Sequence, residues 1–325
     1  MNDFYHICMT AHSEVLIRNP KDASDITNLI ALSAYRTDTQ ILVDAIMSNH
    51  IHLIVLSEKP EKIVLSLRIS ITKHFNAVHM REGRLFDRKV FISKLEGSRH
   101  IIMAINYVLK NPVHHGQTGT PYSYPHSTAN YLFQKDRGII QHIFESGIQS
   151  KLYHPKNAQL PYKYTSDYHK DVINRSSFEE IKLVESMYLT SNYFIYNMNR
   201  RTSEEWIKEQ EQDHVQQCPV TLELIEKGVK LSSINEMLKN ENANRTARLL
   251  RTDMEVCELI DSGIIDRYKA MSIYRISTKQ RLQIAMNLIK EPDITLQVAS
   301  RAVVIPLQLL QNEYTSLYGD LRHRP

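Results

Sequence analysis

The chain has 325 residues, of which 42% are hydrophobic and 23% charged, and its net charge is only +4. This length has room for two or more domains, and no apolar run is long enough to span a membrane. Its three cysteines are far apart, which argues against a disulfide framework or a thiolate zinc site. The first residues lack the features of a signal peptide, so we expect a cytoplasmic protein without a membrane partner.

The first 95 residues predict four strands and two helices. Strands are expected at 4–10, at 39–47, from His50 onward and at 89–95, where branched and aromatic residues are frequent. Helices are expected at 22–35, with Asp22 and Asp25 as candidate caps, and from Pro60 to about residue 83. The order β-α-β-β-α-β predicts an α+β, ferredoxin-like antiparallel sheet with helices on one face.

The third predicted strand begins Asn49-His50-Ile51-His52-Leu53. Side chains alternate along a strand, so His50 and His52 lie on one face and the aliphatic residues on the other. Uncharged imidazole nitrogens bind divalent metals, and two of them leave coordination positions open, as catalytic sites require. The alternative is that the pair is simply two half-buried polar groups.

A further helix is expected to begin at Gly97-Ser98 and to end at Asn111, before Pro112. At about 100° per residue, Tyr107 and Asn111 fall together, one turn apart and away from the apolar stripe of this helix. Tyr107 is therefore not an obvious core residue, and the amide beside it could approach the histidine strand, although packing is the common role of a helical tyrosine.

Residues 59–100 contain ten Lys or Arg against four Asp or Glu. Such a cluster is typical of phosphate contacts that position a nucleic acid without reading its sequence, and the alternative is a solvated helix face. The candidate contacts are Arg68, Lys73, Arg81, Arg84, Arg88, Lys89 and Lys94.

We expect three parts: a domain at 1–135, whose boundary is the end of a family resemblance, a connector with helices at 136–215, and an all-α region at 216–325. Two stretches in the last region have the spacing of helix-turn-helix units, residues 231–251 and 295–313. In the first, Arg245, Arg248 and Arg251 are candidate contacts to duplex DNA. Helix packing or dimerisation is the alternative for both.

The segments Met47–Leu53 and Tyr107–Gly116 resemble the single-tyrosine HUH transposases, most closely the REP-associated tyrosine transposases. Weaker motifs agree in order, over about residues 3–135: Tyr5-His6-Ile7, Gly83-Arg84-Leu85-Phe86 and Tyr122-Ser123-Tyr124-Pro125-His126-Ser127. Ser48, Asp87 and His126 replace the proline, glutamine and tryptophan that are usual in the family, and none of these changes removes a catalytic group.

The resemblance implies a metal-dependent enzyme acting on single-stranded, hairpin-containing DNA. His50, His52 and Asn111 would hold Mg²⁺ or Mn²⁺, and Tyr107 would form a 5′-phosphotyrosine intermediate that permits strand joining. The base that deprotonates Tyr107 and the choice between monomer and homodimer stay open. Two other functions compete: a replication-initiator or relaxase-like nuclease, and a non-catalytic DNA-binding regulator.

Overall fold

The computed structural model describes residues 2–11, 14–115, 117–139, 166–167, 172–199 and 250–318. These residues form a four-stranded antiparallel sheet with interleaved helices, followed by a mainly helical C-terminal region. The predicted α+β class is therefore confirmed. Among the helices in these ranges, none combines the length and the apolar character that crossing a membrane requires.

The strands and helices of the N-terminal half follow the predicted order. They are β1 (Asp3–Thr10), α1 (Pro20–Arg36), β2 (Gln40–Ile46), β3 (His50–Ser57), α2 (Pro60–His79) and β4 (Phe91–Leu95). The strands pair in the order β2-β3-β1-β4, and every pairing is antiparallel. The histidine strand β3 is thus central, between β1 and β2.

The two faces of the sheet are covered by different helices. Ile7, Met9 and Leu53 belong to one core with the apolar residues of α1 and α2. On the other face, Ile54 and Leu95 belong to a second core with α3 (Gly97–His114). The prediction of helices on one face thus holds for α1 and α2, whereas α3 covers the face that carries the histidines.

The N-terminus of α1 differs from the prediction. Asn19 is the N-cap, and its side chain accepts hydrogen bonds from the backbone amides of Lys21 and Asp22. Asp22 completes this capping box, but Asp25 does not cap the helix and instead bonds Lys21 and His74. The helix begins earlier than predicted because Pro20, at its first position, already has a helical φ.

The predicted end of α3 at Asn111 is wrong. The helix continues through Pro112 to His114, and the backbone N–H of His115 bonds the carbonyl of Asn111. A proline removes one backbone hydrogen bond from a helix. The helix tolerates this loss because residues 104–112 are all buried, and because Pro112 is followed by only two more helical residues. These three additional residues, most of a helical turn, bring His114 next to Tyr107 and His115 next to His50.

Residues 172–199 pack against the N-terminal half. Two short strands, β5 (Ser166–Asp167) and β6 (Val172–Ile173), interrupt the predicted connector and precede α4 (Ile181–Tyr188) and α5 (Ser191–Asn199). Between β6 and α4, the buried Arg175 donates to both carboxylate oxygens of Asp44 on β2, at 2.8 and 3.1 Å. This ion pair fastens the segment to the edge strand of the sheet.

The C-terminal helices α6 (Asp253–Tyr268), α7 (Thr278–Leu288), α8 (Leu296–Ala302) and α9 (Leu307–Tyr318) enclose a third core. Val15 of the N-terminal half belongs to this core. The fully buried Arg18 donates to the carboxylate of Asp261 at 2.9 and 3.2 Å and to the carbonyl of Ala302 at 3.0 Å. The C-terminal helices therefore pack directly on the N-terminal half, while the boundaries near residues 135 and 215 stay predictions.

Candidate active site

The histidines of β3 lie on the sheet face covered by α3, together with residues of the neighbouring strand. In the β1–β3 ladder Cys8 is opposite His52 and Thr10 is opposite His50, so His6, two positions before Cys8, lies diagonally next to His52. The rings of His50 and His52 are 4.9 Å apart and nearly perpendicular, and those of His6 and His52 are 5.2 Å apart and stacked. Three imidazoles thus meet on one face of the sheet.

Helix α3 brings Tyr107 and Asn111 onto these histidines. Asn111 Oδ1 lies 3.0 Å from His50 Nε2, and the ring of Tyr107 stands edge-on to that of His52, with centroids 5.5 Å apart. The prediction that these two residues share a side of the helix is confirmed. Tyr107 is only 2% exposed and belongs to the second core together with Ile105 and Val108 of the apolar stripe, so the prediction that it lies away from the core is wrong.

The last turn of α3 adds two histidines that the sequence reasoning did not assign to the site. The ring of His115 is 5.0 Å from that of His50, and the ring of His114 is 6.2 Å from that of Tyr107. Both depend on the continuation of the helix past Pro112. The third residue missed, His6, had a detectable signal: with Cys8 and Thr10 it follows the same alternation on β1 that was recognised on β3.

Burial keeps most of these rings uncharged. Desolvation, with smaller contributions from neighbouring charges, lowers the pKa of His6 and His115 to about 3 and that of His114 to about 4. Desolvation also holds the pKa of His52 well below its usual value. Burial raises the pKa of the Cys8 thiol to about 12, so Cys8 stays protonated in the metal-free protein. The site offers nitrogen lone pairs rather than positive charge.

The donor set fits a divalent cation. His50 Nδ1 lies 2.8 Å from Asn49 Oδ1 while its Nε2 faces Asn111 Oδ1, yet an uncharged imidazole has only one N–H to give. When Nδ1 donates to Asn49, two lone pairs face each other 3.0 Å apart, a spacing that suits two adjacent ligands of an octahedral ion with bonds of about 2.1 Å. Within the described ranges no three His, Cys, Asp or Glu side chains form a metal cluster by themselves.

The predicted phosphate contacts are not all near this site. Arg84, Arg88 and Lys89 are exposed on the loop before β4, and the backbone N–H of Asp87 in this loop bonds the carbonyl of Thr10, opposite His50. The loop therefore adjoins the end of β1, and its Leu85 and Phe86 belong to the core of α1 and α2 rather than to the face that carries the histidines. Arg68 donates to the carbonyl of Asp87 and so supports the same loop from α2.

The other basic residues of the cluster have different surroundings. Arg81 is held by an ion pair with Glu14 at 2.8 Å and by bonds to the carbonyls of Gly83 and Arg84, which is a structural role. Lys73 is exposed on α2, on the opposite side of the sheet from α3. Lys94 pairs with Asp3 at 2.8 Å and lies opposite Tyr5, whose ring packs in the core of α1 and α2.

The candidate duplex contacts receive little support. Arg245 and Arg248 lie outside the described residues, and Arg251 pairs with Asp293 at 2.8 Å. The second predicted helix-turn-helix stretch does contain two helices, α8 and α9, separated by four residues. The predicted reading helix α9 has no lysine or arginine, so the duplex interaction stays a prediction.

No family model matches the sequence, and no curated protein matches it. Among solved structures, the chain is similar to one described as the REP-associated tyrosine transposase bound to a REP hairpin, with 15% identity and a TM-score of 0.35 over 43% of this chain and 82% of that one. It is also similar to a putative transposase from Deinococcus radiodurans, with 13% identity and a TM-score of 0.27 over 34% of this chain and 91% of that one. Similarity at this level assigns neither a family nor an activity, so function must be argued from the residues of this chain.

Proposed function

We propose that this protein is a metal-dependent enzyme that cleaves and joins single-stranded DNA through a covalent link to Tyr107. The proposal is carried by one observation: the tyrosine of α3 lies edge-on to His52, one turn from the amide that meets His50. A nucleophile and a set of metal-binding groups, far apart in sequence, thus converge on one face of the sheet. The sequence resemblance to single-tyrosine HUH transposases points to the same chemistry.

We propose His50, His52 and Asn111 as the groups that hold Mg²⁺ or Mn²⁺. A cation bound there would polarise the scissile phosphate and offset the negative charge that develops on it. The oxygen of Tyr107 then forms a bond to phosphorus as the bond to the 3′ oxygen breaks. The products are a 5′-phosphotyrosine and a DNA strand with a free 3′-hydroxyl.

Strand joining is the reverse of this step with a different 3′-hydroxyl as nucleophile. It needs no external energy source, because the covalent intermediate conserves the phosphodiester bond energy. The hydroxyl proton of Tyr107 must leave during attack, since the ordinary pKa of tyrosine is about 10. The uncharged ring of His114 borders Tyr107 and is the candidate to accept it.

Hairpin-containing single-stranded DNA is the substrate that the resemblance favours. In this proposal the exposed Arg84, Arg88 and Lys89 contact phosphates of the bound DNA strand. A non-catalytic DNA-binding regulator would have no need for a buried tyrosine beside three imidazoles.

Covalent capture tests the proposal. The protein is incubated with a labelled library of single-stranded hairpins and Mn²⁺, and adducts that survive denaturation are separated by gel electrophoresis. We expect an adduct with the wild type and none with Tyr107→Phe or His50→Ala. Tyr124→Phe is the matched control, since Tyr124 is also buried but donates its hydroxyl to the carbonyl of Ile46 and lies outside the proposed chemistry.

The outcomes separate the three functions. An adduct that reacts with a second 3′-hydroxyl to give a joined strand supports the transposase-type reaction. Cleavage without joining favours the initiator or relaxase type. A folded protein that binds these DNAs but never forms an adduct, or a Tyr107→Phe variant that still forms one, contradicts the proposal.

A further inference from the structure

Each histidine of β3 has its Nδ1 atom held by a neighbouring side chain. His50 Nδ1 lies 2.8 Å from Asn49 Oδ1, and His52 Nδ1 lies 3.1 Å from His6 Nε2. In both rings Nε2 is therefore the nitrogen left to bind a cation. Asn49 Oδ1 can only accept a hydrogen bond, whereas the nitrogen of His6 can either donate or accept.

The His6 ring is buried and contacts other rings on several sides. It is 0% exposed, its ring stacks on that of His52 with an interplanar angle of 25°, and the rings of Phe91 and Tyr107 approach it edge-on. Its Nδ1 atom is also buried and has no hydrogen-bond partner among the described residues. A buried polar atom without a partner costs about 1–3 kcal/mol, which an apolar residue at this position would avoid.

Two nitrogens 3.1 Å apart share one hydrogen, and the two ways of sharing it differ in consequence. If His6 Nε2 donates, the hydrogen of His52 must sit on its own Nε2, next to Cys8 Sγ at 4.0 Å, and that nitrogen has no lone pair for a cation. If His52 Nδ1 donates, its Nε2 keeps the lone pair. Only the second arrangement is compatible with a metal ligand.

We propose that His6 is a positioning residue that accepts the Nδ1 hydrogen of His52 and thereby holds the His52 ring with its Nε2 lone pair ready for the cation. His6 then serves His52 as Asn49 serves His50, so the ligand pair on β3 has an outer pair of acceptors, one from the preceding residue and one from β1. The inference rests on the proposed function in one respect, that His52 is a metal ligand.

The test measures Mn²⁺ affinity of the full chain by electron paramagnetic resonance of the free ion. His6→Phe keeps a ring but has no acceptor, and we expect it to weaken Mn²⁺ binding about 10- to 100-fold. His6→Gln restores an acceptor and should bind within a few-fold of wild type. Phe91→Leu is the matched control, because it perturbs the packing around His6 and leaves its hydrogen bond in place.

A second measurement does not depend on any variant. In the Mg²⁺-loaded wild type, nitrogen-15 NMR of the histidine rings should show His52 protonated at Nδ1. Wild-type Mn²⁺ affinity in a folded His6→Phe variant, or a His52 ring protonated at Nε2, overturns the inference even if DNA adducts form. If Mn²⁺ binding depends on His6 but no DNA adduct forms, the inference stands and the proposed reaction is contradicted. If the wild type binds no Mn²⁺, both are contradicted.

Discussion

Arg175 offers the sharpest test of how the segment after residue 171 is held to the sheet. Its guanidinium donates to both oxygens of Asp44 and to the hydroxyl of Thr27 at 3.1 Å. Glu179 Oε1 lies 3.3 Å from the same guanidinium, and burial raises the pKa of Glu179 well above its usual value. The Asp44 carboxylate is 0% exposed, so Arg175 is the cation that balances its buried charge.

Arg175→Met should lower the free energy of unfolding by about 3–5 kcal/mol. The substitution keeps most of the aliphatic volume but leaves the Asp44 carboxylate buried without its counter-charge, and that loss dominates. The double variant Arg175→Met with Asp44→Leu should recover most of the stability, because an apolar pair replaces the ion pair and no charge stays buried.

Urea denaturation followed by circular dichroism measures these changes as shifts of the midpoint at constant slope. Arg88→Met is the control, since Arg88 is exposed and its loss should change stability by no more than about 0.5 kcal/mol. The reasoning is refuted if Arg175→Met costs less than about 1 kcal/mol, or if the double variant is no more stable than the single one.

Three further predictions concern pH, the packing of the C-terminal helices and DNA affinity. Metal-free protein should lose stability as the pH falls from about 6.5 to 5. The pKa of His6 and His115 is about 3 in the folded state and about 6.5 in the unfolded chain, so the unfolded chain binds more protons in this window, and each ring contributes up to about 1.4 kcal/mol per pH unit. A urea midpoint that does not change with pH would contradict this. Arg18→Met leaves Asp261 and the carbonyl of Ala302 without their donor, so limited proteolysis should cut the C-terminal helices of the variant faster than those of the wild type. Equal rates of cutting in variant and wild type would argue against this. Arg88→Ala should reduce the slope of log affinity against log salt for single-stranded DNA by about 0.7, whereas Lys94→Ala should not change it, because Lys94 is already paired with Asp3.

The sequence by itself determined the order of the strands and helices in the N-terminal half. Alternation on the strands and the three-to-four residue period of the helices depend on local geometry, which any reader of the sequence can apply. The same local rules paired His50 with His52 on β3 and Tyr107 with Asn111 on α3. They failed at Pro112, because a local rule for ending a helix takes no account of the burial of residues 104–112.

Tertiary structure alone decided that the His50/His52 pair contacts the Tyr107/Asn111 pair, and which other residues lie beside them. The approach of Asn111 Oδ1 to His50 Nε2 depends on how α3 packs across the sheet, and the contact of His6 with His52 depends on the register of β1 against β3. Charge along the sequence likewise did not separate the exposed Arg88 from Arg81, which the fold holds through Glu14 and two backbone carbonyls. Local pattern specifies which face of an element a side chain occupies, but the partner on the facing element is set by packing between segments distant in sequence.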